Sequence, residues 1–218
     1  MDKLFIEKFD NGMQIMQFSK MKITSDTLCL LDFIEINENE IVIDLGTGSG
    51  VIPIVLQAKY KIKKIWGVEI QKELAILAQK NIKLNKANIE IINEDLKKLD
   101  QIFSFNMFDV ITCNPPYYKI NNNRQCSDIK QNISKHEVKC KLEDIIKISS
   151  YLLKPNGKIY LINLFSRFNE LMDLLQKYHL NLTTLQYICS KKKEEKILFL
   201  SEIKKEKCEI QIKPNLYL

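Results

Sequence analysis

Asn114-Pro115-Pro116-Tyr117 combines two constrained acceptors with an aromatic ring. Proline has no N–H and cannot continue a strand ladder. The residue before a proline is held out of the helical region. The two prolines therefore fix Asn114 and leave the Pro115 carbonyl as an acceptor, with the Asn114 side-chain oxygen as a second. An aromatic amine can donate to both. Those bonds would localise the nitrogen lone pair and aim it at a sulfonium methyl group. Transfer is then a matter of positioning, helped electrostatically as charge develops on the nitrogen. The proton can leave after transfer, so the chemistry requires neither a strong base nor a metal. Tyr117 would stack on the ring carrying the amine, and a nucleic-acid base must be unpaired or swung out of its stack to be reached. The competing reading is a polar turn after a strand, broken by Pro-Pro.

A second run supplies a place for a donor. Asp44-Leu45-Gly46-Thr47-Gly48-Ser49-Gly50 lies between a β-branched segment, 41–45, and a helical segment, 51–60. In an open α/β sheet that is the crevice where ligands bind. Glycines let the backbone approach a ligand, and the helix N-terminus adds oriented N–H groups. The spacing is G-x-G-x-G, with Val51 where a dinucleotide fingerprint is still running, and no Walker lysine follows. Asp44 would repel a pyrophosphate but suits a cationic ligand such as a sulfonium amino acid. Glu69 ends the next strand, where a carboxylate can accept both ribose hydroxyls. Asp95 follows the third strand; it could accept from an adenine amine while the Leu96 backbone reads the ring edge. Any one of these acids could be an ordinary solvated residue. Three at the ends of three successive strands point to an adenosyl cofactor.

The elements that must position these groups alternate. Strands are expected at 41–45, 65–70, 89–93, 108–113 and 158–165, with helices at 51–60, 71–85, 142–153 and 167–178. The helical face of 71–85 carries Leu74, Ile76, Leu77, Ala78, Ile82 and Leu84 and is expected to be buried. Pro155-Asn156-Gly157 is expected to turn the chain. Repeated βα units imply a mostly parallel sheet with helices on both faces. Two last strands, 183–190 and 196–203, have no helix between them and are expected to form an antiparallel hairpin, giving seven strands. Residues 1–40 read as an N-terminal cap, with a strand at 12–18 and a capped helix at 25–34. Residues 41–218 read as one domain, and 117–140 as a long polar loop.

The composition is 45% hydrophobic, which suffices for a core without staples. No apolar stretch is long enough to span a bilayer and the N-terminus lacks a signal-peptide pattern, so a cytoplasmic protein is expected. The six cysteines form no CxxC pair and no metal site is expected. Cys113 reads as a small apolar strand residue. The net charge of +6 favours a polyanionic partner. Because Lys, Asn and Ile are all abundant together, much of that charge reads as compositional drift on a solvated surface.

These residues resemble the class I methyltransferase superfamily, a Rossmann-like α/β fold, in its Asn-Pro-Pro-Tyr branch. Within it the chain looks like the bacterial tRNA adenine N6-methyltransferases that modify position 37 of valine tRNA. The resemblance runs most of the length. It includes Ile15-Met16-Gln17, Ser25-Asp26-Thr27-Leu28, Asp44 to Gly50, Glu69-Ile70, Asn114 to Tyr117, Ser134-Lys135-His136-Glu137, Leu152 to Lys158 and Pro214-Asn215-Leu216-Tyr217. Asn156 stands where the family usually has a second glycine, a turn variant. The resemblance implies S-adenosyl-L-methionine as cofactor, contacts to it at Asp44, Gly46, Glu69 and Asp95, and a target amine at Asn114. With the glycine turn and its neighbours, the candidate cofactor set is Asp44, Gly46, Thr47, Gly48, Glu69, Ile70, Asp95, Leu96 and Asn114. The candidate catalytic set is Asn114, Pro115, Pro116 and Tyr117. The implied partner is tRNA, through an exposed adenine of the anticodon loop, and the enzyme is expected to act as a monomer.

The same signature also serves glutamine N5-methylation of release factors and guanine N2-methylation of ribosomal RNA. The release-factor enzymes usually carry a helical N-terminal domain, for which forty residues are too few. A relic that only binds RNA would have no need for Asp44, Glu69, Asn114 and Tyr117 together. Lys119, Arg124, Lys130, Lys135 and Lys139, against Asp128 and Glu137, make the loop after the motif basic, as RNA phosphates would favour or as any solvated loop could be. Lys20, Lys22, Tyr118, Lys119, Arg124, Lys130 and His136 are candidate substrate contacts, with His136 read as a loop anchor rather than a base.

Overall fold

The computed structural model describes residues 3–9, 12–19, 23–115, 141–191 and 195–218. Strand β1 (Leu4–Lys8) pairs antiparallel with β2 (Gln14–Phe18). Helix α1 (Ser25–Phe33) starts at the expected place, but its N-cap residue Thr24 makes no side-chain capping bond. The alternating units follow: β3 (Ile41–Leu45), α2 (Val51–Lys59), β4 (Lys64–Val68), α3 (Lys72–Leu84) and β5 (Ile89–Ile92). A 3-10 helix spans Leu96–Gln101 and leads to β6 (Phe108–Cys113). The chain then runs through α4 (Leu142–Leu152), β7 (Leu153–Leu164), α5 (Phe168–Lys177), β8 (Asn181–Cys189) and β9 (Lys196–Lys204).

The sheet order is β10-β8-β9-β7-β6-β3-β4-β5, where β10 (Gln211–Ile212) and β11 (Leu216–Tyr217) both pair with β8. Strands β5, β4, β3, β6 and β7 are parallel. Strand β9 lies antiparallel between β7 and β8, so the expected hairpin is there and inserts its second strand into the sheet. All seven expected strands are present. Among the described residues this sheet has nine strands rather than seven, because β10 and β11 add parallel to the β8 edge. Two-residue strands carry too little pattern to be read from sequence.

Helices cover both faces. On one, the 3-10 helix, α4 and α5 bury Leu99, Ile145 and Leu171 against the sheet; on the other, α1 and α2 bury Leu30 and Leu56, joined by Ile15 of β2. Trp66, Phe103 and Phe108 meet edge to face, with centroids 5.0–5.6 Å apart, and dock the chain after the 3-10 helix onto β4 and β6.

Two local expectations are corrected. The apolar face of α3 is narrower than its pattern suggested: Ile76 and Leu84 are 43% and 39% exposed, whereas Asn81 is fully buried. Asn81 and Asn85 lie on one side of α3, about 6 Å apart along its axis. They meet Met16 and Gln14 of β2, spaced by nearly the same length of strand. Met16 N–H donates to Asn81 Oδ1 and Asn81 Nδ2 to the Met16 carbonyl; Asn85 makes the same two bonds with Gln14. The two amides thus pair with β2 as a strand would. Second, Pro155-Asn156-Gly157 does not end an element. It bulges within β7, where the register with β6 jumps from Phe108↔Leu153 to Val110↔Lys158. Lys154 Nζ ties the bulge to both carboxylate oxygens of Asp109, at 2.8 and 2.7 Å.

Candidate active site

The parallel strands β3, β4, β5 and β6 deliver their C-terminal ends to one edge of the sheet. The register pairs Leu45 with Cys113 and Asp44 with Thr112. The glycine turn after β3 and Asn114-Pro115 after β6 therefore leave the sheet side by side.

Gly46 and Gly48 have φ of +73° and +57°, and a Cβ on either would meet nothing within 4 Å. Both glycines are required by conformation, and both border open space. Amides of Gly46 and Thr47 donate to the Val68 carbonyl, and that of Gly50 to Thr47, each at 2.9 Å. Gly67 on β4 makes room for the turn: a Cβ there would sit 2.9 Å from both Cγ2 and Oγ1 of Thr47. Asn81 Nδ2 also donates to the Ser49 carbonyl, so α3 holds the turn and β2 through one amide.

Asp44 is 1% exposed. Its Oδ1 accepts from the Thr112 hydroxyl at 2.6 Å. Its Oδ2 and the Thr47 hydroxyl are both buried without a completed hydrogen bond. Burial pushes the carboxyl up to about 7; the Thr112 and Thr47 hydroxyls work against this, and the Glu69 carboxylate adds to it. A buried carboxylate short of a partner, beside a turn open to a ligand, favours a cationic group.

Glu69, immediately after β4, brackets the turn. Its Oε2 accepts from Gly48 N–H at 2.9 Å and its Oε1 from Gln71 N–H at 2.8 Å. Each oxygen can take a further donor. Asn93 Nδ2 donates to the Glu69 and Ile70 carbonyls, fixing the path of Ile70. Asp95 caps the 3-10 helix: its Oδ1 accepts from Lys97 N–H at 3.0 Å, and its Oδ2 lies 3.3 Å from Lys97 Nζ. Leu96 turns its side chain into the core.

Asn114 is half-buried and Pro115 buried. Asn114 Nδ2 donates to the Thr27 hydroxyl of α1 at 2.9 Å. Cys113 is buried apolar strand, as expected. Pro116, Tyr117, Tyr118, Lys119, Arg124, Lys130 and His136, with Lys20 and Lys22, lie outside the described residues.

The structure thus brings Asp44, Gly46, Thr47, Gly48, Glu69 and Asn114 to the C-terminal ends of the adjacent strands β3, β4 and β6, with Ile70, Asp95 and Leu96 following β4 and β5. Sequence reasoning missed Thr27, Gly67, Asn81, Asn93 and Thr112, whose roles come from strand register and helix packing. Among the described residues no group of three or more His, Cys, Asp or Glu could hold a metal, and no helix is long and apolar enough to cross a membrane. A cavity of about 310 Å³ bordered by Lys158, Glu202 and Lys204 lies toward the opposite ends of the parallel strands and contains none of the candidate residues.

The chain is similar to known methyltransferases. The tRNA1(Val) (adenine(37)-N6)-methyltransferase of Aliivibrio salmonicida is 23% identical over 185 residues, 84% of this chain and 77% of that protein. The release factor glutamine methyltransferase of Flavobacterium psychrophilum is 29% identical over 157 residues, 66% of this chain and about half, 53%, of that protein. A crystal structure of a predicted O-methyltransferase from Agrobacterium tumefaciens superposes with a TM-score of 0.66 at 18% identity, covering 86% of this chain and 85% of the other. It shows the same fold. The methyltransferase small domain family matches residues 13–188, and the chain belongs to that family.

Proposed function

We propose that this enzyme transfers a methyl group to the exocyclic N6 amine of an adenine in tRNA, adenine 37 of the anticodon loop of valine tRNA, and that Asn114 and Pro115 hold that amine. The observation that carries the reading is the register of β3 against β6, which sets Asn114 beside Asp44 and the glycine turn. The name borne by the Aliivibrio relative supports the choice of adenine.

S-adenosyl-L-methionine, the methyl donor of this enzyme class, supplies an electrophilic sulfonium methyl group when bound. The residues fit it. The open glycine turn admits its backbone-hugging portion, and the incompletely bonded Asp44 carboxylate suits its ammonium. Glu69 can add ribose hydroxyls to the two amides it already accepts, and Asp95 and Leu96 border the place for the adenine ring. Asn114 then orients the acceptor. Its side-chain oxygen and the Pro115 carbonyl take the two amine hydrogens, so the lone pair faces the donor crevice; Pro116 holds that geometry and Tyr117 stacks on the base. The proton passes to water after transfer. Residues 1–40 act as a cap on a catalytic unit of 41–218, and the enzyme works as a cytoplasmic monomer.

The test is transfer of labelled methyl from the cofactor into total tRNA, followed by nucleoside analysis. Label in N6-methyladenosine is expected. A glutamine amide is also planar and offers two N–H donors, and the Flavobacterium relative is named for one. Label in a release factor and none in tRNA would replace the adenine assignment with that one.

A further inference from the structure

The fold presents Asn114 to the acceptor, but an asparagine amide has two faces that differ by a half-turn. With one orientation an acceptor faces the target amine; with the other, an NH2 group faces it, donor against donor. Rotation about the last side-chain bond is broad and roughly two-fold, so the backbone alone does not choose. Something must discriminate oxygen from nitrogen.

Thr27 stands at the place to do so. It is the third residue of α1, 9% exposed, and its hydroxyl lies 2.9 Å from Asn114 Nδ2 and 3.3 Å from the Thr24 hydroxyl. A hydroxyl has one hydrogen and two lone pairs. With its hydrogen directed at Thr24, Thr27 offers Asn114 a lone pair, which accepts from an N–H and repels a carbonyl oxygen. The Thr24 hydroxyl, just outside the helix, can accept that hydrogen and so permits this polarity. We infer that Thr27 is a positioning residue that sets the amide orientation of Asn114, turning its Oδ1 toward the methyl acceptor. The inference rests on the proposed role of Asn114 in holding a planar amine, whether that amine belongs to adenine or to glutamine.

Thr27→Val keeps the shape and removes the hydroxyl; Thr27→Ser keeps the hydroxyl. Single-turnover transfer under saturating cofactor and acceptor is expected to fall about tenfold in Thr27→Val, the factor corresponding to a lost hydrogen bond of about 1.4 kcal/mol. Cofactor affinity should stay within about twofold, and Thr27→Ser should recover most of the rate. A rate in Thr27→Val within about twofold of the parent overturns the inference. So does a loss explained by weaker cofactor binding, or a Thr27→Ser variant as slow as Thr27→Val.

A second measurement needs no acceptor. In protein labelled with 15N-asparagine, the Asn114 side-chain amide should exchange slowly with solvent in the parent and in Thr27→Ser, and fast in Thr27→Val. An Asn114 amide in the parent that exchanges as fast as an exposed asparagine rejects the inference even if Thr27→Val does not fold. Failure of the tRNA assignment alone leaves this readout unaffected.

Discussion

Asn81 offers a stringent test of how the N-terminal hairpin is coupled to the glycine turn. Its side chain is fully buried and makes three long-range bonds: from Met16 N–H at 2.7 Å, to the Met16 carbonyl at 2.9 Å and to the Ser49 carbonyl at 2.8 Å. Asn81→Leu has the same branched outline with bulkier methyl tips and strands all three backbone groups. A fully buried unsatisfied group costs about 1–3 kcal/mol. Met16 and Ser49 are only half-buried, so water reaches part of the edge and the lower end applies. The three groups together give about 3 kcal/mol. Trp66 is the chain's single tryptophan and is 5% exposed, so its fluorescence follows urea unfolding directly. Asn85→Ala is the control: it removes the two Gln14 bonds, does not touch the glycine turn and should cost about 1–2 kcal/mol. Because Asn81 alone reaches Ser49, its variant should also weaken cofactor binding by more than Asn85→Ala does. A destabilisation below about 1 kcal/mol, or equal losses of cofactor affinity in the two variants, would refute the coupling.

The other expectations concern the crevice itself. Gly67→Ala places a methyl group 2.8–2.9 Å from Ile91 and Thr47, so it should destabilise by about 1–3 kcal/mol and lower cofactor affinity, both read by urea unfolding and calorimetric titration. In the cofactor-free protein the raised Asp44 carboxyl binds its proton more tightly than in the unfolded chain, so stability should fall as pH rises through about 4 to 7 and level off above. An ammonium group binds the ionised form, so cofactor affinity should instead rise with pH and reach its plateau near 7. Titration at pH 6 in buffers of different ionisation enthalpy should detect proton release, and Asp44→Asn should abolish it. Asn114→Ala should eliminate methyl transfer with the cofactor affinity retained; loss of that affinity would move Asn114 from the acceptor to the donor side.

What the sequence makes legible is what the backbone demands locally. Gly46 and Gly48 adopt positive φ, which restricts the residue types that fit. Pro115 carries no N–H to continue the β6 ladder, and the strands are announced by β-branched runs. Asp44 and Glu69 could be placed at strand ends because they follow such runs directly. Asn81 could not be read this way. A polar residue in an amphipathic helix looks solvated until β2 is seen lying against it, and the exposed Ile76 and Leu84 falsify the pattern for the same reason: tertiary contact, not period, decides which face is covered. The bulge at 155–157 is hidden because a Pro-Asn-Gly run signals a turn without saying whether the strand resumes in the same sheet.

The groups hidden from sequence reasoning share a task. Thr112, Thr27, Asn93 and Asn81 touch the candidate residues rather than the open crevice: Thr112 takes one oxygen of Asp44, Thr27 one branch of Asn114, Asn93 the carbonyls at Glu69 and Ile70, and Asn81 the carbonyl at Ser49. Each is an uncharged hydroxyl or amide, and each belongs to a different element from the residue it holds. Uncharged partners orient a carboxylate or an amide without neutralising it, which keeps the Asp44 charge available for a cation and the Asn114 oxygen for an amine. Replacing Thr112 by a lysine that reaches Asp44 would satisfy the same carboxylate and remove the reason for a cationic ligand to bind. The site therefore depends on holding Asp44 incompletely satisfied, and its raised carboxyl is the energetic cost of that arrangement.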